Sequence, residues 1–538
     1  MGKAVGDDKG ESEMSSIGEV KRITDDSPKF REVLFARGYL FTDAEIDGNA
    51  FPFYGEWRTE KICGYSLLVH PKAKYYALQT EDSSLVLIGH AYNPFDGLYD
   101  ENEILRKYAD SEDKIGYFNQ WTGVFTLIVV KADDIEVWGD CAGMQCTYYG
   151  TIEKHFYLSS HAQLIGDLCN LTQSAYVRKL THYRFWQMYG LFLPGDISQF
   201  DDVFRLVPNH VLNVAVPKFS CKLTRFYPNC DISMVKNEWE YDETIMEIGR
   251  LLHKNMELIA NKWDKPAISM TGGMDSKTTI ACANGLYDKF GFYSYISMYG
   301  DRPDAEAAEK IAAAIGVTHH TYTISENDGD FEDVPAMRAV IEHNLGDIGA
   351  VNANDVRKRL FFLNTSDFDV EVKSWVSEIG RANYYKKFGL KKMPTQLSPR
   401  QMTSMYKFFT YNRTDANATD KIFRQYIEKT AFHSIYNLDS SDMYLWEFRY
   451  GGWGGLTITS EHRVSYDITI PYNNRLLIEL FLRLPLEKRI EDIPHFDVIR
   501  KMNPAIDQLG ITITNYNETK KRMYCERVYY LVNNALPF

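Results

Sequence analysis

The run Ala267-Ile-Ser-Met-Thr-Gly-Gly-Met-Asp-Ser-Lys-Thr-Thr279 decides how this chain reads. Residues 266–270 form an apolar, strand-like run that ends in Thr271-Gly272-Gly273, turns, and enters a helix at about Ser276. Two adjacent glycines let backbone N–H groups crowd round an anion, because no Cβ blocks the approach. The helix start adds free amides and the positive end of its dipole. Thr271 and Ser276 carry hydroxyls that can donate to phosphate oxygens. A carboxylate at Asp275 repels phosphates by itself, but it suits a magnesium ion, a hard cation that prefers oxygen ligands. The pattern therefore predicts a nucleotide site with magnesium on Asp275. The string GxxxxGK[ST] is absent, so simple γ-phosphate hydrolysis is not the first expectation.

Downstream, Phe292–Met298 reads as a second strand. Asp301-Arg-Pro-Asp304 opens a helix with Pro303 in its first turn, Gly316 closes it, and His319–Ile324 is a third strand. Strand–helix–strand–helix–strand predicts a parallel sheet. Upstream, Tyr241–Trp263 has apolar residues at helical spacing, among them Ile245, Ile248, Leu252, Met256 and Ile259. Residues 325–538 read as mainly helical. From about 35 to 225 the rhythm is that of short strands, as in Ser84–Gly89, Gly123–Val130, Ile135–Trp138 and His155–Ser159, which predicts antiparallel sheets, two of them stacked. Residues 1–30 are polar and acidic and read as a mobile leader. The expected division is 1–30, 31–232 and 233–538.

With 538 residues, two cores are expected. A net charge of −13 argues against a nucleic-acid partner, whose phosphates demand Lys and Arg. Eight scattered cysteines form no CxxC pair and no zinc spacing, so they read as reduced thiols in a cytoplasmic setting. There is no leader with a signal peptide's apolar stretch and no membrane-length apolar window.

The glycine loop resembles the SGGxDS pyrophosphate loop of the N-type ATP pyrophosphatases, with Thr271 in place of the first serine. Tyr293-Ser-Tyr-Ile-Ser297, then Asp304, Ala308, Ala312, Gly316 and His320, resembles that family's pattern after the loop. Gly123-Val-Phe125, Asp140, Gly143, Tyr148-Tyr149-Gly150 and Ser159-Ser160 resemble the G-x-F…D-x-x-G…YYG…ASE series of class II glutaminase domains. Ile88-Gly-His-Ala-Tyr92-Asn93 looks like a worn NGEIYN. Glu461-His-Arg463 and Pro471-Tyr-Asn-Asn-Arg475 resemble ExR and PFLDR. Together these segments resemble the asparagine synthetase and β-lactam synthetase-like family over most of residues 50–500.

The resemblance implies an α/β chain of two domains: an antiparallel, sandwich-type Ntn-hydrolase-like domain, then a parallel-sheet ATP-pyrophosphatase domain with added helices. It implies ATP and magnesium as cofactors, with Ser269, Thr271, Gly272, Gly273, Asp275, Ser276, Ser297 and Ser377 as ATP and pyrophosphate contacts. Ser377-Glu378-Ile-Gly380-Arg381 lies where the family has SGEGxDE. Glu378 then matches a glutamate on the acceptor side of the adenylate, and Arg381 stands where the second magnesium aspartate belongs. Glu378 reads equally as a salt-bridge partner of Arg381. Lys520 and Lys521 lie where the family has a lysine that stabilises charge in amide formation, and read equally as a solvated pair. Trp446–Gly455 reads as a pocket loop or as a turn between helices.

The departures bear on function. Position 2 is Gly rather than the family's nucleophilic N-terminal cysteine, and the first cysteine is Cys63. Gly139 and His90 replace the Arg of RDxxG and the acid of NGE. Glutamine hydrolysis is expected to be lost unless processing exposes Cys63. The implied activity is adenylation of a small-molecule or peptide carboxylate and transfer to an amine. The alternatives are an ammonia-dependent synthetase and a catalytically inactive scaffold. Neither a nucleic-acid nor a membrane partner is expected, and a homodimer is open.

Overall fold

The computed structural model describes residues 17–183, 186, 192–406, 413–511 and 520–535. The short apolar runs of the first half build two six-stranded antiparallel sheets. One runs in the order Phe204–Arg205, Tyr148–Ile152, His155–Ser159, Tyr39–Thr42, Tyr65–Val69, Arg58–Ile62. The other runs Ser220–Arg225, His210–Ala215, Asp134–Gly139, Thr122–Val130, Ser84–Tyr92, Tyr75–Gln79. Ser84–Tyr92 and Thr122–Val130 are buried throughout, which explains why they read as nearly continuous apolar runs. Leu67 and Leu68 of one sheet and Leu87 and Leu127 of the other belong to one hydrophobic cluster. The Tyr39 hydroxyl bridges the layers to Thr126 (3.3 Å) and Thr147 (2.9 Å).

The polar leader expected over 1–30 needs correction from Ile17 on. Ile17–Asp26 and Pro28–Arg31 are helices whose Val20, Ile23 and Phe30 are buried. Three apolar anchors among charged residues are too sparse to show a helical stripe. Residues 1–16 lie outside the described residues.

The second half holds a five-stranded parallel sheet in the order His320–Thr323, Gly291–Ile296, Pro266–Ser269, Val370–Val372, Asp467–Thr469. The last two strands fall in the stretch read as mainly helical. With three residues each, they carry no periodic trace of their own and are defined by pairing. The long helix is Glu238–Lys262. The helix after the glycine loop is Met274–Cys282. Arg302–Ile315 is closed by Gly316 at φ +72°, a left-handed conformation that favours glycine. The chain leaves the central strand for one side of the sheet and returns to the other. The strand order therefore reverses between Pro266–Ser269 and Val370–Val372. In open parallel sheets, the crevice beyond the carboxyl ends of two such strands is where ligands bind.

The two halves are joined through buried polar contacts. Asn473 Nδ2 donates to Gly123 O (2.6 Å) and Asp140 Oδ1 (2.9 Å), and Arg475 Nε donates to Asn209 Oδ1 (3.1 Å). His343 is a further joint, with Nε2 2.8 Å from Asp167 and Nδ1 3.1 Å from Asp347. Burial alone pushes its imidazolium toward a lower pKa, but the bonds to the two carboxylates outweigh burial and raise it to about 9. A raised folded-state value means the stabilisation is complete below the unfolded value of 6.5 and is lost as pH climbs through about 9. Urea titrations are expected to show stability falling by about 3 kcal/mol across that window. His343→Gln is expected to remove most of that slope.

Among the described residues no helix is long and apolar enough to cross a membrane. Cys63 sits with Gly64 in the two-residue turn between the paired strands Arg58–Ile62 and Tyr65–Val69. Exposing it as an N-terminus would cut that hairpin open.

Candidate active site

A cavity of about 330 Å³ opens at the crevice, and Ser269, Thr271, Gly273, Asp275, Ser276 and Glu378 line it. The loop is held in shape by its own hydroxyls. Thr271 N–H donates to Ser276 Oγ (3.0 Å), and Gly273 N–H donates to Thr271 Oγ1 (3.2 Å). Gly273 caps the helix, and the amides of Met274, Asp275 and Ser276 find no acceptor among the described residues. Free amides at the start of a nine-residue helix are where an anion binds. The Gly272 amide is already taken, by Asp304 Oδ1 at 3.0 Å.

Asp275 is bound on both oxygens. The Ser377 hydroxyl donates to Oδ1, and Arg381 Nη1 donates to Oδ2 at 2.7 Å. Arg381 is itself fixed by Asp492, at 2.8 and 3.0 Å, and Asp492 also accepts from Lys386. The guanidinium thus supplies positive charge at the carboxylate expected to hold magnesium. No group of three His, Cys, Asp or Glu able to hold a metal occurs among the described residues. With its two oxygens taken by Ser377 and Arg381, Asp275 does not fit a magnesium ion.

Glu378 lines the same cavity, and Tyr450 Oη donates to its Oε2 at 2.6 Å. Burial, and then the negative charge of Asp275, push its carboxyl above the ordinary glutamate range. Arg381 makes its hydrogen bonds to Asp275 and Asp492 rather than to Glu378. Ser297 is spent on Asp301, through its amide (2.9 Å) and hydroxyl (2.7 Å), and stands outside the lining. Lys521 is exposed near the start of the helix Lys520–Ala535 and does not line the cavity; the Lys520 side chain lies outside the described residues.

Nothing in the sequence pointed to Trp375, whereas Tyr450 and Trp453 fall within Trp446–Gly455, read as a pocket loop or a turn; all three line the cavity. Tyr450 and Trp453 belong to Tyr444–Gly454, a π-helical stretch rather than a loop or turn. Such wide turns recur at functional sites. Its glycine cluster offered a trace: a Cβ on Gly455, the residue that follows, would lie 2.1 Å from Gly143 O, so the glycine lets this segment press against the first half.

No protein-family model matches this chain, and no curated protein sequence matches it. Among solved structures it is similar to the glutamine phosphoribosylpyrophosphate amidotransferase from B. subtilis complexed with ADP and GMP. That likeness has 11% identity and a TM-score of 0.22, and it covers 70% of this chain and 76% of that one. It is also similar to a structure described as the allosteric regulatory enzyme of purine biosynthesis. Here identity is 10% and the TM-score 0.24, over 63% of this chain and 92% of that one. Neither likeness extends to an activity.

Proposed function

We propose that this chain is an ATP-dependent ligase that activates a substrate carboxylate and passes its acyl group to an amine. The observation that carries this reading is the trio of unpartnered amides at Met274, Asp275 and Ser276, set at the crevice where the strand order reverses. A carboxylate oxygen attacks the α-phosphorus of ATP, and the bond to the bridging oxygen of pyrophosphate breaks. The three amides then meet charge that grows on the leaving pyrophosphate, which is where fixed dipoles lower a barrier most. The amine next attacks the acyl carbon, a C–N bond forms, and AMP leaves with the electron pair of the broken C–O bond. The amine nitrogen must shed a proton. Glu378, which lines the cavity and whose carboxyl is raised above the ordinary glutamate range by burial and then by Asp275, is placed to take it. No step is assigned to a metal, because Arg381 already neutralises Asp275.

A second reading is a non-catalytic scaffold. It is favoured by the internal satisfaction of the site: Asp304 holds the Gly272 amide, and Arg381 with Ser377 holds Asp275. ATP–pyrophosphate exchange across a panel of carboxylic acids separates the two. Exchange with one class of acid is expected. In Ser276→Ala it should fall about tenfold, the worth of one lost hydrogen bond that shapes the loop. Nucleotide binding in calorimetry without exchange for any acid would favour the scaffold, and no binding at all would sink the ligase.

A further inference from the structure

A second cavity, of about 550 Å³, lies beside the first and shares Trp375 and Trp453 with it. The two indoles stack with centroids 5.1 Å apart and planes at 22°. The His462 ring packs on Trp375 at 5.5 Å, so three rings in series form one wall. Both tryptophans are only partly buried, and the ring surface left over borders the two cavities.

Leu345, Ala350 and Val351 add apolar lining. The carboxylates of the lining are already matched within the chain. Lys358 stands 2.6 Å from Asp355, while Glu461 is met by Arg359 at 3.6 Å and by His462 Nε2 at 3.4 Å. The second cavity therefore makes no call for a charged group. What it offers is aromatic faces and aliphatic surface, against which a ring stacks or packs edge-on. Its volume falls in the range of roughly 300–1,000 Å³ typical of small organic ligands, and ammonia would leave it nearly empty.

A cation stands where the two cavities meet. Among the described residues that line the first cavity, Lys373 is the sole lysine or arginine. Its Nζ lies 5.2 Å from the centroid of the Trp375 ring, and 3.3 and 3.4 Å from the two carboxylate oxygens of Glu371. Those bonds are longer than the roughly 2.7–2.9 Å of a full charge-assisted hydrogen bond, and an ammonium has three protons to give. A carboxylate in the first cavity can take one of them.

We infer that the substrate acid carries an aromatic ring on a short alkyl chain, with the ring lodged against Trp375 and Trp453 and the carboxylate beside Lys373. That this carboxylate is the one adenylated rests on the ligase reading above, whereas the ring site itself rests on the second cavity.

Isothermal titration of the full chain with 3-phenylpropionate, butyrate and 3-phenyl-1-propanol tests it, with ATP titrated into the same preparations. Saturable binding of 3-phenylpropionate is expected. It should be roughly tenfold tighter or more than butyrate, which lacks the ring, and than the alcohol, which lacks the charge. Ala350→Met fills the second cavity without changing charge and is expected to weaken 3-phenylpropionate by a similar factor. Lys373→Met is expected to erase the preference for the acid over the alcohol. Thermal melting confirms that both variants are folded. Butyrate binding as tightly as 3-phenylpropionate, or 3-phenylpropionate affinity that survives Ala350→Met, overturns the ring site. Equal affinity for acid and alcohol in the unsubstituted protein overturns the place given to the carboxylate. ATP binding without 3-phenylpropionate binding overturns this inference and leaves the ligase reading intact. Binding of 3-phenylpropionate without ATP binding supports the ring site and overturns the ligase.

Discussion

Glu447→Ala is expected to lower the unfolding free energy by about 3–5 kcal/mol, because it strips a buried cation of its partner. Glu447 is 0% exposed and accepts from Arg225 Nη1 (2.5 Å), Arg225 Nη2 (2.9 Å) and Asn209 Nδ2 (3.2 Å). Arg225 ends a strand of the first half, while Glu447 lies in the π-helical stretch of the second, so the loss falls on the joint between them. Alanine leaves the guanidinium with only the carbonyls of Tyr227 and Thr430. Urea denaturation of the single variant measures the loss. The double variant Arg225→Met/Glu447→Leu is expected to recover most of it, since no charge is then left buried. A single-variant loss under about 1 kcal/mol would mean that water reaches the pair, and the joint would have to be sought elsewhere.

Arg381→Ala is expected to weaken ATP binding, measured in EDTA, by roughly 100-fold. Arg381 balances Asp275 at 2.7 Å, and Asp275 sits in the first turn of the helix whose amides face the anion position. Without the guanidinium, a bare carboxylate about 5 Å from a phosphate opposes it by about 3 kcal/mol at an effective dielectric near 20. Magnesium is expected to restore much of the loss in the variant, because the freed oxygen can take a hard cation, and to change the unsubstituted protein far less. Arg381→Lys keeps the charge but gives up the two parallel bonds to Asp492, so an intermediate loss is expected. Unchanged ATP affinity in Arg381→Ala would show that Asp275 does not face the phosphates, and the proposed pyrophosphate position would have to move.

Much of the fold is legible along the chain because its causes are local. Continuous apolar runs at Ser84–Tyr92 and Thr122–Val130 reflect strands buried on both faces. The spacing of Ile245, Ile248, Leu252, Met256 and Ile259 is the buried stripe of one helix. Gly272-Gly273 before a helix start already reads as an anion loop, and Gly316 marks where a helix must turn left-handed to stop. These features turn on residues within a turn or two of one another, so the order of the letters is enough.

The charge state of the site belongs to the tertiary structure. Asp275 reads as a magnesium ligand on its own loop, yet its partner is Arg381, 106 residues on, and that partner is anchored by Asp492, a further 111 residues on. The strand Val370–Val372 exists because the central strand offers it an edge to pair with, Asp467–Thr469 pairs in turn with Val370–Val372, and the first of them leads Trp375 and Glu378 to the crevice. Asp355, Glu461 and His462 each look unremarkable in the sequence, and only the closing of the sheet and its helices gathers them round one cavity. Sequence by itself thus determined the layers and the glycine turn into the helix Met274–Cys282, which follow from short-range sterics and burial. Tertiary structure decided which charges meet, because a Coulomb pair depends on distance in space and leaves no trace in distance along the chain.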